Sequence, residues 1–162
     1  MDERAILDKI RFFDRFSDAE KKQILCSEHF FARYHQGDYL IRETEIDGTL
    51  FILLQGSAIV TKKAKPGMIL TTLTPGMVVG EISFLTNRPR ISDVIATEET
   101  VCFTLTRMTL ENLSLPLQNK IKDQLIEILV GRLDRTNEML VETLSAIEGV
   151  VMTIATATET VF

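Results

Sequence analysis

The chain has 162 residues, of which 45% are hydrophobic and 25% charged, with a formal net charge of −5. That length suits one ordinary domain plus an extra element, the composition is that of a folded protein, and the negative charge argues against general polyanion binding. Apolar runs fall short of the roughly 20 residues of a membrane span, the charged start "MDERAILDKI" is unlike a secretory signal, and Cys26 and Cys102 read as buried reduced thiols, so a cytoplasmic location is expected.

In chain order, the first elements read as helical. Within "FSDAEKKQIL", Ser17 stands three residues before Glu20, the spacing of a capping box, ahead of Ile24 and Leu25. Phe12, Phe13 and Phe16 just upstream are candidate core anchors. From about Phe30 the period changes. Glycines fall at 37, 48, 56, 67, 76 and 80, and between them lie short β-branched or aromatic runs: "DYLIR", "TLFILL", "SAIVTK" and "MILTTL". "ISDVIAT" and "TVCFTLT" follow. Short strands with regular turn signals predict a small antiparallel roll or barrel. After Thr106 the helical period returns and runs to near the end.

The stretch "VGEISFLTNRPRIS", Val79 to Ser92, carries the chemistry. Gly80 removes a side chain where something must approach the backbone. "EISFL" can form a short helical turn whose free N–H groups suit an anion, above all a phosphate. Arg90 offers a planar fork of donors that matches phosphate oxygens. Glu81 would repel a phosphate, but a carboxylate is a strong acceptor for ligand hydroxyls. A phosphate next to a hydroxyl describes a sugar phosphate or a nucleotide. On the residues alone, a structural pairing of Glu81 with Arg90 across the turn is an equally open reading.

Taken together, "LIRETEIDGTLFILLQGSAIV" and "LTPGMVVGEISFLTNRPRISDVIA" resemble the cyclic-nucleotide-binding domain found in catabolite activator proteins and protein kinase A regulatory subunits. The resemblance covers roughly residues 10 to 135. It implies an α+β, mainly β fold: an antiparallel β-roll (a double-stranded β-helix or jelly roll) flanked by N-terminal helices and a long C-terminal helix. It also implies a binding domain over 1–135, followed over 136–162 by the continuing helix and tail, a dimerisation segment. In such a domain Gly80 and Ser83, with Ile82 between them, lie against the ligand. Glu81 holds the ribose 2′-hydroxyl and Arg90 pairs with the cyclic phosphate. The chain departs from the family pattern directly after the arginine, where Ile91-Ser92 replaces a hydroxyl or alanine followed by alanine. Ile91 keeps its backbone N–H but brings no hydroxyl, which tilts the expected ligand toward cAMP over cGMP.

From Ile126 onward, apolar residues recur at alternating spacings of four and three. Val130, Asn137, Leu144 and Val151 occupy heptad position a, while Ile126, Leu133, Leu140, Ile147 and Ile154 occupy d. A lone Asn at a favours a two-stranded parallel pair, so a homodimer through this helix is expected. Leu125, Ile128 and Leu129 sit on a neighbouring face, suited to local packing. By the resemblance, this helix closes over the base. Thr136-Asn137, starting 55 residues beyond Glu81, take the adenine-contacting place, with Arg132 as a rival lid residue. Arg135 reads as part of a solvated face.

Other activities lack residues to support them. No Lys or Arg follows Arg135, while Glu138, Glu142, Glu148 and Glu159 do, so neither direct nucleic-acid nor membrane binding is expected. A metal site of the cupin kind needs several His and acidic ligands, but only His29 and His35 occur, six apart on an expected strand. A catalytic constellation is not evident, and the chain is not expected to be an enzyme. The expected function is that of a stand-alone, cAMP-responsive regulatory module. The alternatives are a degenerate, non-binding dimerisation module and a regulator acting with a separate DNA-binding or output partner.

Overall fold

The computed structural model describes Ala5, residues 7–25 and residues 30–159, with side chains of the last helix described as far as Thr153. Cys26 and His29 lie outside the described residues, as does the side chain of Ile154. The chain divides into two compact units, Met1–Asn119 and Lys120–Phe162.

In the first unit a single 3-10 turn, Arg11–Phe13, leads to helix α1, Asp18–Leu25. Its start is fixed by the expected reciprocal cap. The Ser17 N–H donates to Glu20 Oε2 at 2.7 Å and the Glu20 N–H donates to Ser17 Oγ at 3.3 Å. Eight strands follow: β1 Phe31–Tyr34, β2 Tyr39–Ile41, β3 Leu50–Gln55, β4 Ala58–Thr61, β5 Ile69–Leu73, β6 Val78–Val79, β7 Asp93–Ala96 and β8 Thr100–Leu105. They form two antiparallel four-stranded sheets, ordered β1-β8-β3-β6 and β2-β7-β4-β5. This is the β-roll expected from the spacing of turns.

The core explains why some strands alternate and others do not. Phe51, Leu53 and Cys102 from one sheet share a cluster with Leu40, Ile41, Ala58, Leu73, Val94 and Ala96 from the other. The next residue of β8, Phe103, points to the opposite face, as strand geometry requires. There it meets Phe13 and Phe30, each with ring centroids 5.3 Å away. Phe12 and Phe16 extend this aromatic layer and are buried, as their clustering implied. With both faces covered, β3 and β8 are nearly continuous apolar runs. Burial pushes the Cys102 thiol up to about 12, so it stays protonated and inert.

Helix α2, Glu81–Thr86, follows β6, and α3, Arg107–Glu111, follows β8. The α3 start is fixed by a Thr106–Thr109 capping box. The last helix, α4, spans Leu115–Glu159. Pro116 sits in its first turn, where a missing N–H costs nothing.

The second unit is the body of α4. Ile121, Gln124 and Leu125 are buried, and Ile128 and Leu129 are half-buried. The heptad stripe from Ile126 to Val151 is a different case: Ile126, Val130, Leu133, Leu140, Leu144, Ile147 and Val151 are each 52–60% exposed. No helix of the described residues is long and apolar enough to cross a membrane.

Candidate functional site

The site is built where β6 ends. Val79 pairs with Phe51 and Val78 with Ile52, which carries Gly80 to the start of β3, close to the Thr49 carbonyl. Gly80 has φ 85°, a left-handed conformation, and initiates α2 directly. A Cβ here would run into Arg90 Nη1 and stand 2.8 Å from the Thr49 carbonyl oxygen. Only glycine fits both the dihedral and the space. No side chain caps the N-terminus of α2, and the first N–H groups of a helix have no partner within it. The other end of α2 is closed. Asn87, at φ 60°, donates its N–H to the Ser83 carbonyl at 2.9 Å, and Arg107 Nε donates to the Phe84 carbonyl at 2.8 Å.

The turn after α2 returns Arg90 beneath Gly80. Its backbone is pinned on both sides, the Arg90 N–H donating to Glu45 O and its carbonyl accepting from the Thr44 N–H, both at 2.9 Å. The side chain is only 3% exposed. Nη1 donates to the Gly80 carbonyl at 3.1 Å, and Nη2 donates to Asp47 Oδ2 at 2.8 Å and to the Thr49 carbonyl at 2.5 Å. The guanidinium carbon lies 5.9 Å from the Phe51 ring centre. Nε is buried and has no hydrogen-bond partner. A buried donor left without a partner is costly.

Asp47 is the organising carboxylate. It accepts from the Thr49 N–H at 3.0 Å and the Thr49 hydroxyl at 2.8 Å as well as from Arg90. Partial burial pushes its carboxyl up, but the bonds from Arg90 and Thr49 and the charge of Arg90 outweigh this and hold it below its ordinary value.

Of the residues singled out from the sequence, Gly80, Glu81, Ile82, Ser83 and Arg90 come together around the start of α2. Glu81 and Ser83 are buried and Ile82 is half-buried. Ile91 follows with its side chain 52% exposed, and Ser92 is half-buried. Arg132, Thr136 and Asn137 belong to the other unit, on α4. Arg132 is half-buried, the other two are exposed, and the Thr136 hydroxyl donates to the Arg132 carbonyl at 2.8 Å. Sequence reasoning missed Asp47 and the Thr49 carbonyl. The signal for Asp47 is the "DGT" turn, in which an Asp side chain bonds the backbone two residues on. His35 lies just past the end of β1 rather than on the strand. It is exposed and faces Glu99, 2.6 Å from Nδ1, which raises its pKa. Among the described residues no group of three or more His, Cys, Asp or Glu could hold a metal.

Similarity to known proteins agrees with this geometry. The family profile described as cyclic nucleotide-binding domain matches residues 31–115. A cGMP-dependent protein kinase of Eimeria tenella is 28% identical over 116 residues, covering 72% of this chain and 11% of that protein. A cAMP-dependent protein kinase regulatory subunit of Dictyostelium discoideum is 27% identical over 94 residues, 55% of this chain and 29% of that protein. The chain thus spans less than a third of either relative. A cyclic nucleotide-binding domain from Methylobacillus flagellatus superposes with a TM-score of 0.72 at 26% identity, over 87% of this chain and 83% of that one. The matched span runs from β1 to the first residue of α4 and includes Gly80, Glu81 and Arg90, and so the chain belongs to the cyclic nucleotide-binding domain family.

Proposed function

We propose that this chain is a cytoplasmic regulatory module that binds a cyclic nucleotide, cAMP in preference to cGMP, and responds through α4. The observation that carries the reading is the preset Arg90. Its guanidinium is buried beside the backbone of Gly80, with one donor left unmet, in a place where a side chain on residue 80 would collide with it. An anion of phosphate shape suits that fork. Gly80, Ile82 and Ser83 offer backbone at the open end of α2, and buried Glu81 is the acceptor for ribose hydroxyls. Ile91 and Ser92 complete the cassette. Because Ile91 lacks a hydroxyl, the guanine-directed bond is missing, which favours cAMP. Arg132, Thr136 and Asn137 are the lid residues of this reading.

The output runs through a homodimer. The exposed a and d residues of α4 form the stripe of a parallel two-stranded coil, with Asn137 facing its twin. Ligand binding shifts the population of helix positions and so alters a surface presented to a partner protein. Neither nucleic acid nor membrane is a direct partner in this reading. One observation favours a second reading, a non-binding dimerisation module. Asp47 and two carbonyls already occupy Arg90, so the arginine has a structural task without any ligand. Calorimetric titration with cAMP and with cGMP separates the two. Saturable binding, tighter for cAMP, is expected. No binding of either nucleotide at millimolar concentration overturns the first reading and leaves the second.

A further inference from the structure

A two-stranded coil does not use all the apolar surface that α4 exposes. Beyond Asn137, a second set of residues repeats with the same four-three spacing: Met139, Thr143, Ala146 and Val150. In the heptad set by Val130 and Leu144 these are positions c and g. Met139 is 67% exposed and Val150 59%, and Thr143 and Ala146 are exposed as well. Thr143 is compatible with a dry contact, because its hydroxyl already donates to the Met139 carbonyl at 2.7 Å. Bonded within its own helix, that hydroxyl needs no partner across the contact.

The same positions one and two turns earlier are filled by Arg132 and Thr136. The second stripe therefore begins at Met139 and belongs only to the distal helix. With a turn of about 3.6 residues, the c/g stripe is centred about 100° around the helix from the a/d stripe. A helix in a two-stranded coil has one neighbour and needs one stripe. In a four-helix arrangement each helix has two neighbours, at right angles to one another, and needs two. The angle read from the sequence fits the second case. Charge agrees with it. Past Arg135 the charged residues among the described side chains are Glu138, Glu142 and Glu148, at heptad positions b, f and e, off the second stripe. Wholly acidic charge also disfavours an anionic lipid as the covering surface. Thr143 and Ala146 are small enough to let a second helix approach closely, with Met139 and Val150 as the larger flanking contacts.

We propose that the distal part of α4 joins two dimers into a four-chain bundle, a/d stripes forming each pair and c/g stripes joining the pairs. The occupant of the second stripe is thus another copy of this chain. The proposal rests on the dimer reading above, and it makes the output element shared by four binding units. Sedimentation of the full chain at tens of micromolar tests it, alongside Met139→Glu/Val150→Glu and Leu140→Glu/Leu144→Glu double variants, with helix content checked by circular dichroism. The native chain is expected to sediment at four times the chain mass. The c/g variant should halve that to a dimer with unchanged helicity, and the a/d variant should give monomers. A native dimer overturns the second stripe and leaves the pair intact, whereas a native monomer overturns both. A tetramer that survives Met139→Glu/Val150→Glu without loss of mass also overturns it, because the stripe would then not be the contact.

Discussion

The β-roll and the long helix treat their side chains in opposite ways. In the roll even a cation is held inside the unit: Arg90 is 3% exposed, and its terminal nitrogens reach Asp47, Gly80 and Thr49. Leu53 and Cys102 have no exposed surface. In α4, from Ile126 to Val151, seven apolar heptad residues stand more than half exposed. In the proposed homodimer this stripe is the surface that a second copy covers. The contrast teaches where each kind of change will register. Changes in the roll should alter stability and ligand binding of one chain, and changes in distal α4 should alter association.

The largest effect is expected from Arg90→Ala. Charge-assisted hydrogen bonds contribute about 1.5–3 kcal/mol each, so if Arg90 holds the phosphate as proposed, its loss should weaken cAMP binding on the order of 100-fold. The fold should suffer too, because Asp47 and two carbonyls lose their donor. We expect destabilisation of about 2–3 kcal/mol, moderated because the Asp47 side chain is 46% exposed. Titration calorimetry and thermal unfolding check both, and the association state should not change. An unaltered melting temperature would show that the roll does not depend on its internal arginine.

Two glycines sharpen the comparison. Gly80 has a positive φ and a carbonyl at its back, so Gly80→Ala should cost about 1–3 kcal/mol and disrupt the site. Gly149, on α4, has nothing within 4 Å of a built Cβ and no positive φ. Gly149→Ala should instead stabilise the helix by about 1 kcal/mol. Opposite signs in paired unfolding measurements are expected. A stabilising Gly80→Ala would mean that neither the dihedral nor the Thr49 carbonyl constrains residue 80, and a destabilising Gly149→Ala would mean that the α4 position is not an open helix surface.

These residues also show what the sequence made legible. Gly80, Glu81 and Arg90 are readable because they share one segment, and chain proximity alone brings them near each other. The two-residue offset of the Asp47–Thr49 turn is readable in principle, but its meeting with Arg90 is not. It spans 43 positions and depends on the pairing of β3 with β6. "RETEID" offers three carboxylates, and only the topology selects Asp47. The named runs all became strands, since β-branched and aromatic stretches bounded by turn residues are local signals. Two elements were not among them: β1, whose "FARY" mixes charge with aromatics, and β6, which is two residues long. The order β1-β8-β3-β6 could not be read at all, because no local pattern encodes which distant strands pair. The helical period of α4 was readable, for the reason that a helix carries its period in every turn, and from Ile126 to Val151 its apolar a and d residues are exposed.

A smaller change is expected at Ile91, which belongs to the roll but faces outward. Ile91→Thr restores a hydroxyl worth roughly 0.5–1.5 kcal/mol, up to about tenfold in affinity, with the greater gain for cGMP. Parallel titrations with both nucleotides measure it. Unchanged or weaker binding of both would mean that the isoleucine is compensated elsewhere in the cassette.

The smallest expected effect is in the pH dependence of the roll, where two groups act with opposite sign. The Asp47 carboxyl is held below its ordinary value of 3.8 by Arg90 and Thr49 against the pull of burial. Its contribution is therefore complete above about that value and is lost as pH falls through the lower, folded value. His35 is raised above 6.5, first by its hydrogen bond to Glu99. Its contribution is present below 6.5 and is lost as pH rises through the raised value. The His35–Glu99 pair is open to solvent on both sides, at 80% and 74% exposure, so its share should be near the limit of detection. Unfolding midpoints measured across pH for the native chain, Asp47→Asn and His35→Gln should separate them. Asp47→Asn should flatten the acid limb while lowering stability at neutral pH, and His35→Gln should leave the acid limb unchanged. If Asp47→Asn left the acid limb as steep as before, the carboxylate that responds to acid would have to lie outside the Arg90 cluster.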